Sequence, residues 1–166
     1  ESRGLGDVYK RQVYNNVGPY LAGILVQRRS GCDLVSYLTP RLFTHLGIKR
    51  PTWETDPLGN SFGAGGLFLT LSELHKFGLF YLNKGKWNGK QILSEKWIEE
   101  STRAADTDDY GYLFWRGEQN SYRADGKYSQ IAMVLPEKNA VVSLVAECRK
   151  GDELMRALYD LVCAKL

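Results

Sequence analysis

The stretch that decides the fold is residues 121–147, SYRADGKYSQIAMVLPEKNAVVSLVAE. It holds three short runs rich in apolar and β-branched residues, at 121–126, 129–137 and 139–147, and the turn sequence PEKN joins the last two. A fourth run of this kind, YGYLFWRG at 110–117, comes just before them. Strands that follow one another so closely pair antiparallel. The second half of the chain is therefore predicted to form an antiparallel sheet.

Helical patterns fill the first half of the chain. A first helix is predicted from the N-cap Asn16 to about Gly31. Its apolar stripe consists of Leu21, Ile24 and Leu25. A second helix is predicted from the N-cap Asp33 to Gly47, with a bend at Pro40 because proline lacks a backbone N–H.

The middle of the chain alternates loop and helix signals. Residues 50–66, RPTWETDPLGNSFGAGG, are predicted to be a loop because glycine, proline and turn residues interrupt them. Thr70 and Glu73 have the spacing of a capping box, which starts a third helix. Asn88-Gly89 predicts a two-residue hairpin, and Ser94 predicts the start of a short helix.

A last helix is predicted over residues 151–166, GDELMRALYDLVCAKL. Its apolar face is formed by Leu154, Leu158, Leu161 and Val162. Helices in the first half, an antiparallel sheet in the second and a closing C-terminal helix define an α+β fold.

Composition excludes several classes of function. The chain has 166 residues and a net charge of +3, with its basic residues scattered among acids, so no nucleic-acid partner is expected. No apolar run approaches the roughly 18 residues of a membrane helix. Cys32, Cys148 and Cys163 lack the spacing of metal ligands, and they are predicted to be small buried hydrophobic residues. No metal and no cofactor are expected.

The first twelve residues, ESRGLGDVYKRQ, have neither helical nor strand periodicity. We expect residues 1–12 to be a non-native or disordered leader, with the folded domain at 13–166. Nothing in the sequence assigns a cellular compartment.

One candidate nucleophile fails on its context. GNSFG at 59–63 matches the G-x-S-x-G pattern, with Ser61 in the place of the nucleophile. That pattern requires a strand before the serine and a helix after it, whereas a loop with proline and aspartate precedes Ser61. We interpret these residues as a glycine-rich loop.

Two other segments carry candidate site residues. Tyr14 and Asn16 lie two residues apart at the start of the first predicted helix, where a phenol and an amide can serve a substrate or a proton transfer. Gly126 marks a strand with small residues around it, which lets a substrate backbone approach the sheet edge.

The order of segments resembles the serine β-lactamase-related family, which comprises class C β-lactamases, penicillin-binding proteins of the DD-peptidase type and related esterases. YNN at 14–16 resembles the Tyr-Ser/Ala-Asn motif of this family. The segments YLTPRLFTHLGI, GAGGLFLTLSELHKFGLFYLNKGKWNGKQILSEKWIEES and DGKYSQIAMVLPEKNAVV resemble its later segments in the same order. The resemblance covers nearly the whole chain from Val13 onward. Members of this family are often exported or periplasmic.

The resemblance implies acyl transfer by a serine that a lysine three residues later activates. It implies that Tyr14 acts as a general base or acid and that Asn16 binds the substrate amide. The third family motif falls on Ala124-Asp125-Gly126, followed by Lys127, and supplies substrate contacts and an oxyanion-binding N–H.

Two departures from the family pattern limit the expectation. No serine in the chain has a lysine three residues later, and Ala124 stands where the family has a cation, for which Arg123 or Lys127 could substitute. We therefore expect a C-terminal portion of a serine hydrolase, inactive alone, acting with its parent on β-lactam, ester or D-amino peptide substrates. The alternative is a non-catalytic domain of the same fold that binds a peptide or cell-wall fragment. We also expect self-association through an exposed sheet edge.

Overall fold

The computed structural model describes residues 14–104 and 109–166, so the expected leader at 1–12 lies outside the described residues. The regular elements follow one another along the chain in a helical first part and a strand-rich second part. They are α1 (Val17–Ser30), α2 (Leu34–Leu38), a π-helical turn (Thr39–Phe43), α3 (Thr44–Leu46), β1 (Thr52–Trp53), β2 (Leu67–Phe68), α4 (Leu71–Leu82), β3 (Lys86–Trp87), β4 (Lys90–Gln91), α5 (Glu95–Thr102), β5 (Trp115–Arg116), β6 (Tyr122–Gly126), β7 (Gln130–Leu135), β8 (Ala140–Val145) and α6 (Gly151–Leu161).

Helix α1 begins and ends near the predicted residues, but a different side chain caps it. Asn16 occupies the N-cap position without a side-chain capping bond. The Oδ1 atom of Asn15 instead accepts hydrogen bonds from the N–H groups of Val17 at 3.0 Å and Gly18 at 3.1 Å. The helix ends at Gly31, whose φ of 71° is the left-handed conformation that glycine adopts without strain.

The prediction that the apolar stripe of α1 is its buried face was wrong. Leu21 and Leu25 are more than half exposed, whereas Gly23 and Gln27 are the buried residues. A Cβ atom on Gly23 would lie 3.1 Å from the Cα of Gly63, so the glycine-rich loop packs directly against the helix backbone. Close backbone approach selects small residues for this face and leaves the leucines outside.

The predicted second helix forms as three connected pieces. Asp33 accepts a hydrogen bond from Ser36 N–H at 2.9 Å and caps α2 as expected. A π-helical turn then contains Pro40, which cannot donate the helical hydrogen bond at its position. The last piece, α3, ends at Gly47 with φ of 63°. Pro40 thus changes the local helix type rather than ending the helix.

The capping box and the hairpin of the middle segment are confirmed. Glu73 N–H donates to the Thr70 hydroxyl oxygen, while the Glu73 carboxylate accepts from Thr70 N–H at 2.9 Å. Asn88 and Gly89 both have positive φ and join β3 to β4. The prediction of loop throughout 50–66 was wrong at β1, which pairs with β2. Strands of two residues are too short to leave a periodic signal.

The main sheet has the order β5-β6-β7-β8, and every neighbouring pair is antiparallel, as predicted. Central strand β7 is buried on both faces. Its Val134 joins a core that includes Phe80 of α4, while Ile131 and Met133 join a second core with Leu158 of α6. The sheet therefore lies between α4 and α6, which confirms the α+β fold with a closing C-terminal helix.

The end of the chain departs from its predicted pattern. Leu161 is 62% exposed and Val162 is also exposed, whereas Cys163 is fully buried against Met133. A short 3₁₀ turn begins at Cys163, just after α6, and the cysteine lies inside. Cys32 and Cys148 are only half-buried, contrary to expectation. Within the described residues, no helix is long and apolar enough to cross a membrane.

Candidate active site

Tyr14 lies just before α1 and rests on two aromatic rings of the sheet region. Its ring stacks on Trp115 at 5.5 Å between centroids and meets the edge of Tyr110 at 5.6 Å. The two rings also contact each other at 4.5 Å. Tyr14 remains 58% exposed, so this aromatic support, formed by Tyr110 and Trp115, leaves a large part of it open to solvent.

This contact brings the two predicted motifs into one region. Trp115 lies on β5, and its Cα partner on β6 is Arg123. Arg123 directly precedes Ala124-Asp125-Gly126 on the same strand. The structure therefore places Tyr14 over β5, one strand away from the third motif.

The β5 side of β6 is open along the third motif. Strand β5 pairs with Tyr122 and Arg123 only, whereas β7 pairs with β6 as far as Gly126. Among the described strands, none covers Ala124, Asp125 and Gly126 on that side. An open backbone edge can accept an extended ligand by main-chain hydrogen bonds.

The side chains of the third motif are largely engaged. Ala124 is half-buried against the first core. The Asp125 carboxylate accepts a hydrogen bond from Nε of Arg123 at 2.9 Å, and both side chains are mostly buried. A Cβ atom on Gly126 would lie 3.1 Å from the Cβ of Gln130, so only glycine fits here without displacing that side chain.

The two cations that could replace the missing family cation are both held in place. Arg123 forms the ion pair with Asp125. The Lys127 ammonium lies 4.9 Å from the centroid of the Tyr128 ring, and the Arg149 guanidinium lies 5.6 Å from the same centroid. Arg123 is thus paired with a carboxylate, whereas Lys127 and Arg149 lie against an aromatic ring.

A shallow groove of about 430 Å³ adjoins the third motif. Its lining combines the β6–β7 turn with the segment before α6, and consists of Asp125, Gly126, Tyr128, Ser129, Cys148, Arg149 and Gly151. Arg149 contributes a positive charge to this lining, which suits a carboxylate or carbonyl group of a ligand.

Asn16 is exposed, and its side chain makes no capping bond. Because Asn15 caps α1, the Asn16 amide is left for other contacts. Asn16 therefore holds the predicted N-cap position, but its side chain does not make the expected capping bond.

The sequence model of the Beta-lactamase family matches residues 5–164. The chain belongs to the Beta-lactamase family. No curated protein matches it.

Solved structures of this fold are similar to the chain. A protein named as a 6-aminohexanoate-dimer hydrolase from Bacillus anthracis has a TM-score of 0.78 and 21% identity, over 89% of this chain and 42% of that one. A β-lactamase from Mycobacterium bovis has a TM-score of 0.74 and 20% identity, over 94% of this chain and 65% of that one. An octameric penicillin-binding protein homologue from Pyrococcus abyssi has a TM-score of 0.72 and 18% identity, over 93% of this chain and 43% of that one. The chain therefore spans between 42% and 65% of the length of these structures.

Ser61 is a structural residue in this Beta-lactamase-family chain. It is only 2% exposed, and its hydroxyl oxygen accepts a hydrogen bond from Leu34 N–H at 3.2 Å. Its N–H and carbonyl are both bound by the side chain of Gln27. A buried hydroxyl held in this way is not presented to a substrate. Within the described residues, no three His, Cys, Asp or Glu side chains gather as metal ligands.

The aromatic support of Tyr14 was not predicted from the sequence. Tyr110 and Trp115 were assigned to a strand-like run, without a role at the site. Four of the six residues of YGYLFW at 110–115 are aromatic, which exceeds what a short strand needs, and this density was the available signal. Arg149 had no distinguishing sequence signal because its place in the groove depends on the chain returning after β8.

Proposed function

We propose that this chain supplies part of the active site of a serine hydrolase of the β-lactamase and penicillin-binding class. Such an enzyme transfers acyl groups from β-lactam, ester or D-amino peptide substrates to water or an amine. The observation that carries the proposal is the position of exposed Tyr14, held on Trp115 beside the open edge of β6. A proton-transferring phenol next to a strand edge that can bind a substrate backbone suits acyl transfer.

Each site residue has a specific role in this proposal. Tyr14 takes or gives the proton of the nucleophile or leaving group, and its aromatic support fixes the ring. Asn16 donates its exposed amide to the substrate. The backbone of Ala124-Asp125-Gly126 binds the substrate as an added strand, and Lys127 adds a positive charge near that edge.

We also propose that the nucleophile comes from polypeptide outside this chain. Acyl transfer of this type needs an activated serine, and none of the serines here has a lysine three residues later. Ser61 is buried and fully engaged. The limited coverage of the similar structures is consistent with a contribution from further polypeptide. The chain by itself is therefore expected to turn over no substrate.

A non-catalytic binding domain is the second candidate. The observation that favours it is the ion pair of Arg123 with Asp125, together with Ala124 at the family's cation position. With Arg123 paired to Asp125 and alanine at the cation position, the site binds a peptide backbone along β6 but does little to stabilise a developing oxyanion. The scattered positive charge supports small-molecule or peptide ligands over nucleic acid.

Intact mass after incubation with a fluorophosphonate, and separately with a penicillin, tests where the nucleophile lies. We expect no adduct on the purified chain. An adduct on any serine, located by peptide mapping, would show that this chain carries its own nucleophile and would contradict the proposal.

A second experiment separates the enzyme from the binding domain. The chain is expressed with the genomic sequence that precedes it, and turnover of a chromogenic β-lactam and of an ester is measured. We expect turnover that falls about 100-fold or more in kcat in the Tyr14→Phe variant, since general acid–base groups contribute about 10²–10⁴. The matched control is Tyr112→Phe, which changes an exposed tyrosine whose ring contacts Trp97 instead. Peptide binding without turnover in the longer protein would favour the binding domain.

A further inference from the structure

The groove of about 430 Å³ beside the third motif also borders the start of α6. It lies between the β6–β7 turn, which contributes Ser129, and the segment before α6, which contributes Arg149. Cys148 N–H donates to the Tyr128 carbonyl at 3.1 Å, so these two segments are tied to each other. The groove is therefore assembled by contacts within this chain.

The N-terminus of α6 borders this groove without a side-chain cap. Helix α6 has 11 residues, and its N-cap residue, Lys150, makes no capping bond, while Asp152 and Glu153 of the first turn are exposed. The first N–H groups of a helix lack partners within the helix and carry the positive end of its dipole. A Cβ atom built on Gly151, which lines the groove, would meet nothing within 4 Å. There is thus open space where backbone N–H groups can bind an anion.

The groove also contains a hydroxyl group without a hydrogen-bond partner. Ser129 is only 6% exposed, and within residues 14–104 and 109–166 nothing makes a hydrogen bond to its side chain. No fully buried side-chain oxygen in this part of the chain lacks a partner, so the Ser129 oxygen reaches solvent through the groove that the residue lines. Buried hydroxyl groups are normally paired. The Ser129 hydroxyl is therefore available to a ligand in the groove.

The backbone holds Ser129 in a conformation that residues with side chains rarely adopt. Tyr128 has a φ of 63° and Ser129 a φ of 74°, so two successive residues are left-handed. This conformation is strained for residues other than glycine. Backbone strain of this kind concentrates at binding and catalytic sites. Glycine at position 129 would relieve the strain there, but it would also remove the hydroxyl.

The charges around the groove favour an anionic ligand. The Arg149 guanidinium forms no ion pair among the described residues. Two nearby carboxylates are already engaged, because Asp125 pairs with Arg123 at 2.9 Å and Glu153 pairs with Lys150 at 3.1 Å. The guanidinium is therefore left to pair with a charge that the ligand brings.

We propose that this groove binds the phosphate group of a small molecule. The N–H groups of α6, the Ser129 hydroxyl and the Arg149 guanidinium are three different donors around one groove, and each can take one of the three terminal oxygens of a phosphate monoester. A carboxylate offers only two oxygens to the same three donors. A volume of about 430 Å³ lies within the range of small-molecule pockets, so the ligand has room for an organic part.

The phosphate site does not depend on the catalytic roles proposed above. Binding of phosphate needs neither the Tyr14 phenol nor a nucleophile, and it is measured without turnover. An inactive longer protein would therefore leave the phosphate site unaffected, and a chain that binds no phosphate would leave the catalytic proposal unaffected.

Isothermal titration calorimetry with phenyl phosphate and with inorganic phosphate, at constant ionic strength, tests the proposal. We expect saturable binding of one phosphate per chain, tighter for phenyl phosphate, and a chain without saturable binding would overturn the proposal. Ser129→Ala and Arg149→Gln each remove one donor to a charged ligand and should weaken binding about tenfold or more. The matched control, Arg156→Gln, removes the same charge from an exposed position farther along α6 and should leave binding unchanged.

A second serine variant separates lost binding from lost folding. Glycine adopts the positive φ of position 129 without strain, so Ser129→Gly should keep the circular dichroism spectrum of the wild type and still bind phosphate more weakly. Equal affinity in Ser129→Gly and the wild type would overturn the proposal, and so would tighter binding of acetate than of inorganic phosphate. The titration is repeated on the protein expressed with its preceding genomic sequence, where we expect binding to persist. Loss of binding there would show that further polypeptide occupies the groove, which would also overturn the proposal.

Discussion

The side chain of Gln27 is predicted to be the main stabilising link between α1 and the glycine-rich loop. It is 7% exposed. Its Oε1 accepts a hydrogen bond from Ser61 N–H at 2.8 Å, and its Nε2 donates to Ser61 O at 3.2 Å and to Gly23 O at 3.1 Å. One amide therefore satisfies both backbone groups of a buried serine. The perturbation is Gln27→Leu, which keeps a side chain of similar length without polar atoms.

The expected cost follows from the two groups left without partners. A buried donor or acceptor that loses its hydrogen bond costs about 1–3 kcal/mol, so two such groups at Ser61 cost about 2–6 kcal/mol. We take the lower half of that range because the loop around Gly63 can relax and admit water. A loss of about 2–4 kcal/mol should lower the midpoint of thermal unfolding by roughly 4–16 °C, since a domain of this size loses about 2–4 °C per kcal/mol.

Urea unfolding followed by circular dichroism measures the change. We expect a lower midpoint at an unchanged slope, because the surface exposed on unfolding stays the same. The control is Arg29→Leu, an exposed residue two positions along the same helix, which should stay within about 0.5 kcal/mol of the wild type. If Gln27→Leu also lies within that margin, the backbone groups of Ser61 do not depend on Gln27 and the reasoning is refuted.

Three further predictions concern other contacts. Gly78→Ala should destabilise the chain by about 1–3 kcal/mol in urea unfolding, since the added Cβ would lie 2.6 Å from Cγ1 of Val141; a neutral or stabilising result would show that β8 moves freely away from α4. Thr70→Ala should cost about 1 kcal/mol in the same assay by removing the capping box, and an unchanged stability would contradict that role. The hydrogen bond from the Tyr20 hydroxyl lowers the pKa of Asp56 from 3.8 to about 2, so the stabilisation of the fold by ionised Asp56 is complete above about pH 4 and is lost as pH falls through 2. The stabilities of the wild type and of Asp56→Asn, measured as a function of pH, should therefore converge near pH 2. A difference that stays constant with pH would exclude this linkage.

Many elements could be predicted from the sequence because they depend on local chemistry. The capping box at Thr70 and Glu73 and the Asn88-Gly89 turn each depend on residues within a few positions of one another, and the structure has both. Asp33 caps α2 for the same reason. The closely spaced strands left only antiparallel pairing open. These features come from short-range hydrogen bonding and backbone preference, so they do not need the rest of the molecule.

The α1 helix shows where such reasoning fails. Its leucines suggested a buried stripe, and the stripe faces solvent. The buried face was decided by Gly63, a residue far along the chain whose backbone lies against Gly23. The capping side chain was likewise predicted to be Asn16, whereas its neighbour Asn15 makes the capping bonds, because two adjacent asparagines offer the same chemistry and only the local backbone geometry selects one.

The features of the candidate site also fall into those that the sequence determined and those that it did not. The sequence by itself determined the α+β class, the antiparallel pairing of the sheet strands and the family to which the motifs around Tyr14 and Gly126 belong. Only the tertiary structure decided that Tyr14 rests on Trp115, that Arg123 forms an ion pair with Asp125, and which strand edges are unpaired among the described residues. The physical reason is that strand and turn preferences act between neighbours in sequence, whereas ring stacking, ion pairing and edge exposure depend on segments that meet only when the chain has folded.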